Sequence, residues 1–146
     1  MCLMIYVVTD RPLAPTARDE LTFGAIDAHS RDRLAPLLAG RHGIEVFVDG
    51  RCCCAFPSVA ADRPIEYTDE LFAERDEEDR ARASRCVGAL CAALHDALQP
   101  GEHADVYPVW SDDEGEPSLG RIALRIGAVD VDRLCFVERF VHEFSR

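Results

Sequence analysis

Two periodicities divide this chain. Short apolar runs bounded by Pro, Gly or Asp recur along it, and one long stretch carries an apolar repeat of three and four residues. Residues 3–9 read as a first strand that stops at Asp10-Arg11-Pro12, because proline brings no N–H to a ladder. Leu21–Ile26 reads as a second strand. Ser30 has the side chain of an N-cap, and Pro36 limits 30–39 to a helix in two parts. From Thr68 to Gln99 the pattern is helical, with Ala83, Val87, Leu90, Leu94 and Leu98 forming a stripe before Pro100-Gly101 ends it. A strand over 103–110, an acidic turn over 111–117 and a strand over Leu119–Ile126 follow. The segment 133–144 fits either element, and its Val and Phe content selects a strand. The pattern therefore predicts a single α+β domain over 1–146. It is a two-layer sandwich, a mixed and mostly antiparallel sheet with one long helix, about 69–99, packed on it.

The sharpest local expectation is a hairpin. Ile44–Val48 and Arg51–Phe56 flank Asp49-Gly50, a pair that favours the left-handed dihedrals of a type I′ turn. A two-residue turn sets the register: Val46 opposite Cys53 and Glu45 opposite Cys54. Ile44, Val46, Val48, Cys53 and Ala55 then share one face, which makes Cys53 a packing residue. Glu45, Phe47, Cys52, Cys54 and Phe56 share the other.

Composition narrows the chemistry. All 16 basic residues are arginine, and the chain contains neither Lys nor Asn, a bias expected of a GC-rich bacterial genome. Without lysine there is no P-loop lysine and no Schiff-base chemistry. A net charge of −11 without a basic stripe argues against nucleic acid and anionic membrane as partners. Eight carboxylates against three arginines over 66–82, and four against none over 112–116, read as solvated surface. The pairs Asp76–Arg80 and Glu78–Arg82 have the spacing of an exposed helical face. The apolar run 2–8 follows no basic segment and reads as a strand rather than a signal peptide. Seven cysteines without a secretion signal then imply reduced thiols in a cytoplasm.

Met1-Cys2 leading into Ile5-Tyr6-Val7, the Asp10-x-Pro12-Leu13 step, Cys52-x-Cys54-x-Phe56 and Trp110 together form a recognisable series. It resembles an uncharacterised family of small bacterial proteins with an N-terminal Met-Cys strand, a Cys-Gly-Cys-Gly-Phe motif and a long helix after it. Here Cys53 and Ala55 stand where that motif has glycines, and the preceding turn is shorter. The resemblance implies a shared architecture with Cys2, Cys52 and Cys54 as the matching thiols. It implies no activity.

Cys2, Cys52 and Cys54 are the candidate site, a thiolate cluster for a metal such as zinc or for thiol redox chemistry. On one strand face the α-carbons of Cys52 and Cys54 would stand about 6.6–6.8 Å apart, at the limit of an unstrained disulfide. Two thiolates leaning towards one zinc ion fit that spacing more easily. Cys2 adds a third ligand if the first strand neighbours the hairpin, with the three sulfurs within about 4 Å of one another. Glu45, opposite Cys54, or a histidine is the candidate fourth ligand. The competing reading makes these small apolar thiols core, in a non-catalytic binding or assembly domain whose small-molecule ligand is unspecified and whose self-association is open. No reaction is specified by either. Cys91 with His95, and Asp27-x-His29 with Ser30, contain ligand and triad residue types, but Cys91 suits packing and no nucleophile elbow accompanies Ser30.

Overall fold

The computed structural model describes residues 2–50, 52–62, 73 and 75–146. Its elements run β1 (Leu3–Thr9), β2 (Thr16–Arg18), β3 (Leu21–Ala25), α1 (Ala28–Arg33), α2 (Ala35–Leu38), β4 (His42–Val48), β5 (Ser58–Val59), α3 (Glu77–Ala97), β6 (His103–Trp110), β7 (Gly120–Arg125), β8 (Phe136–Val137) and β9 (Phe140–Ser145). Seven strands make one sheet in the order β2-β3-β4-β1-β6-β9-β7. All pairs are antiparallel except β7 with β9, so the expected mixed α+β layering holds.

The run 3–8 is apolar because β1 lies near the middle of the sheet, covered on both sides. Leu3, Ile5 and Val7 point into a core shared with Val87, Leu90 and Leu94 of α3. Tyr6 and Val8 point into a second cluster with Leu34 and Leu38, under α1 and α2. The stripe on α3 faces the sheet as its spacing requires, with Cys86 and Cys91 buried in it. His95 stays exposed at its far end.

Several boundaries differ from expectation. The helix expected over about 69–99 begins at Glu77: Asp76 accepts a hydrogen bond from the Asp79 N–H, and three acidic residues in the first turn suit the helix dipole. The earlier part of that expectation, 69–72 and 74, lies outside the described residues. Arg82 turns from Glu78 to Glu20 and Asp49 across the sheet edge. Asp27, not Ser30, caps α1, accepting from the N–H groups of His29 and Ser30. The C-terminal strand is two, β8 and β9, split by a turn in which Arg139 takes a left-handed conformation (φ 63°).

The largest correction is the hairpin. Asp49 and Gly50 do turn with positive φ, 52° and 69°. Residues 52–56 nevertheless form no strand against β4, because both edges of β4 are taken. Val46 pairs with Ile5 of β1 on one side and Phe23 of β3 on the other; Glu45 pairs with Tyr6 and Gly24. The chain crosses the end of β1 instead and enters β5, which pairs with β8 in parallel.

Phe136 of β8 fixes that path. Its ring is fully buried, edge-on to Phe56 at 5.8 Å and to His142 at 5.0 Å, while its N–H donates to Pro57 O at 2.9 Å. Phe136→Ala is expected to cost roughly 3–5 kcal/mol of stability through the lost ring and the cavity left behind. Urea unfolding checks this; a midpoint shift worth less than about 1 kcal/mol would mean that the ring anchors nothing.

Candidate functional site

The turn after β4 is held by main-chain groups that β1 leaves free. The β1–β4 ladder ends at Ile5 and Val46, so the Leu3 peptide groups beyond it bond the turn. Leu3 O accepts from the Cys53 N–H at 2.8 Å, the Cys54 sulfur accepts from the Leu3 N–H at 3.4 Å, and Phe56 N–H closes back on Cys53 O at 2.9 Å. Cys53 is the buried pivot: its thiol donates to Val46 O at 3.0 Å, and burial pushes that thiol far above its ordinary range. The expected packing role of Cys53 holds, although through a turn rather than a strand. Phe56 shares its core, which breaks the expected division of faces.

With Cys53 pinned inward, Cys52 and Cys54 emerge together. Their sulfurs are 3.0 Å apart. Cys2 joins them from the start of β1, its own backbone fixed by Ser111 N–H donating to Cys2 O at 2.9 Å beyond the end of β6. The three sulfurs all lie within 4.8 Å of one another, close enough to hold a metal ion. Cys2 and Cys54 are exposed and Cys52 is half-buried, so the cluster is at the surface while Cys53, Cys86 and Cys91 are core. Hydrogen bonds from the Cys54 thiol and backbone pull the Cys52 thiol below its ordinary value. Partial burial, and the proton given to Cys52, push Cys54 above it. A cleft of about 550 Å³ borders the pair, with Asp49, Arg75, Asp79 and Arg82 on its walls.

The donor set suits a soft ion. Zinc bonded to sulfur at ~2.3 Å in a tetrahedron spaces its ligand sulfurs roughly 3.8 Å apart. Cys52 and Cys54 would part by less than about 1 Å to accept it. Glu45 is not the fourth ligand. Alternation along β4 sends Ile44, Val46 and Val48 into the core under α3, and Glu45 to the other face beside Tyr6. Among the described residues no further ligand joins the three sulfurs.

Glu45 belongs to a second buried group that sequence reasoning missed. Glu114, from the run expected to be solvated, turns inward and accepts from the Tyr6 hydroxyl at 2.5 Å, from Ser30 Oγ at 3.3 Å and from Arg33 at 3.4 Å. Burial and the Glu114 carboxylate push the Tyr6 hydroxyl well above its ordinary range. Ser30 therefore serves Glu114, and no hydrolytic triad forms. The available signal was Tyr6 itself: a hydroxyl on a fully buried strand needs an acceptor. His103, Asp105 and Glu143 also converge, but Arg41 and Arg121 grip Asp105 at 2.7 and 2.6 Å and Arg121 holds Glu143 at 2.9 Å. That group is an ion-pair network, already neutralised.

Glu45 has no ion pair among the described residues, and burial, then the charges of Asp27 and Glu114, raise its carboxyl to about 7. A raised carboxyl pKa favours the native state while protonated, so this contribution is present below about pH 4.5 and is lost as pH rises through 7. Glu45→Gln is expected to match the parent near pH 4.5 and to exceed it above pH 7 by on the order of 3 kcal/mol. Denaturation at a series of pH values tests this, and a difference independent of pH would rule it out. No family model, curated protein or solved structure matches the chain.

Proposed function

We propose that this protein is a metal-binding domain whose ion, zinc by the chemistry of its donors, is held by the thiolates of Cys2, Cys52 and Cys54. The convergence of three surface sulfurs from two separate chain segments carries this reading. Burying a cysteine for packing needs no such convergence, and Cys53, Cys86 and Cys91 are buried without it. A bound ion would tie the start of β1 to the loop after β4 and present one open position to water or to a ligand. Three thiolates with an open position suit a binding or Lewis-acid role, and the cleft beside Cys52 and Cys54 gives a ligand room.

Reduced, metal-free protein titrated with zinc against a chromophoric chelator is expected to take up one ion per chain, more tightly as pH rises because the thiols must release protons. Cys52→Ser and Cys54→Ser are expected to weaken binding by at least about 100-fold, more than loss of an outer-shell partner does. Glu45→Gln should leave it unchanged. Substoichiometric uptake, or uptake indifferent to both cysteine substitutions, would defeat the proposal.

A further inference from the structure

We infer that Cys52 and Cys54 exchange with low-molecular-weight disulfides of the oxidised-glutathione type, and that closing the Cys52–Cys54 bond discharges the ion held by the three thiolates. The second half rests on the metal reading above; the first half does not.

The geometry sets this pair apart from the other thiols. On an extended strand, residues two apart stand at the limit of disulfide reach. The turn removes that obstacle: the Cys52 and Cys54 sulfurs lie 3.0 Å apart, about 1 Å beyond a covalent S–S bond. Cys53 makes the approach possible by being immobile. Its N–H is fixed to Leu3 O and its thiol to Val46 O, so its neighbours project from the same side of the turn. The same anchoring withholds Cys53 from exchange, since it is fully buried. Cys86 and Cys91, on the buried face of α3, are shut in the core. Access is supplied where it is needed, by the cleft of about 550 Å³ that Cys52 and Cys54 both line.

The chemistry closes on itself. One thiolate of the pair attacks a sulfur of the small disulfide, whose S–S bond breaks and releases one small thiolate. The second cysteine attacks the protein sulfur of this mixed disulfide, forms the Cys52–Cys54 bond and expels the second small thiolate. Two cysteine sulfurs are oxidised by one electron each, and the small disulfide is reduced by two. In the metal-free protein the two cysteine protons end on the released thiols. In the metal-bound protein two anionic ligands become a neutral disulfide and the ion leaves with its charge unchanged. Cys2 alone remains as a thiolate, too few donors to retain it.

Two arms test this on the full chain. In the first, reduced metal-free protein is treated with oxidised glutathione, and thiols are counted after denaturation. The count should fall from seven to five, in a monomer with one internal bond that fragment masses assign to Cys52 and Cys54. Cys54→Ser should stop at a glutathione adduct on Cys52, and Cys135→Ser should still lose two thiols. In the second arm, zinc-loaded protein should release one ion per chain on the same treatment and rebind it after reduction with dithiothreitol. An unchanged thiol count, a bond that involves Cys2, or a bond between two chains would overturn the exchange. Retention of zinc by protein that carries the Cys52–Cys54 bond would overturn the discharge. If the reduced protein takes up no zinc, the metal reading falls, and with it the discharge, while the thiol count still decides the exchange.

Discussion

The occupancy of β4 on both edges governs what surrounds it. A strand paired only with β1 would have accepted the following segment as its next neighbour. Paired with β3 as well, it has no free ladder edge over Ile44–Val46; Val46 O still accepts from the Cys53 thiol, but the main-chain groups of the following turn find their partners elsewhere. The nearest free groups belong to Leu3, where the β1–β4 ladder has already ended. The bonds from Cys53 N–H to Leu3 O and from Leu3 N–H to the Cys54 sulfur follow from that vacancy. Proximity of Cys2 to the turn then comes without a further interaction, because Cys2 precedes Leu3 in the chain.

The two faces of the sheet divide the polar chemistry. Under α3 the core is aliphatic, aromatic and thiol-bearing, and its one buried imidazole, His142, is neutral. Its Nε2 accepts from Val137 N–H at 3.1 Å, and burial lowers its pKa to about 4. On the opposite face Tyr6, Ser30, Arg33 and Glu114 tie the 111–116 loop to the sheet, and that loop carries Ser111, which fixes Cys2. The carboxylate network therefore has a structural role one step removed from the thiols. It positions the segment against which the first strand is registered.

Much of this was legible from local pattern. The strands at 3–9, 21–26 and 103–110 and the stripe on α3 depend on side-chain periodicity alone, and they formed. The Asp49-Gly50 turn depends on dihedral preference, and it formed too. What failed were inferences that needed knowledge of distant partners. The hairpin rule assumes a free strand edge, and β3 and β1, more than twenty residues earlier, had removed it. Glu114 was read as solvent-facing from the acids around it, because its destination at Tyr6 lies 108 residues away. Ser30 and Asp27 are both cap residue types; Asp27 caps α1, and Ser30 Oγ donates to Glu114 instead. The grouping of Cys2, Cys52 and Cys54 was reached from the sequence, but by way of a strand pairing that does not exist.

The thiol turn is fastened at both of its ends to segments remote in sequence. Ahead of Cys54 it hangs on Leu3, and behind it Phe56 and β5 rest on Phe136 and β8. The scaffold that squares Cys2 to the turn also includes β6 and Ser111. During synthesis all three cysteines leave the ribosome long before residues 108–111 and 136–137 do. A growing chain carries the sulfurs without the frame that aligns them, and contacts of such sequence separation close late. The site is thus a record of completion: its geometry comes into being only when the C-terminal strands have taken their places.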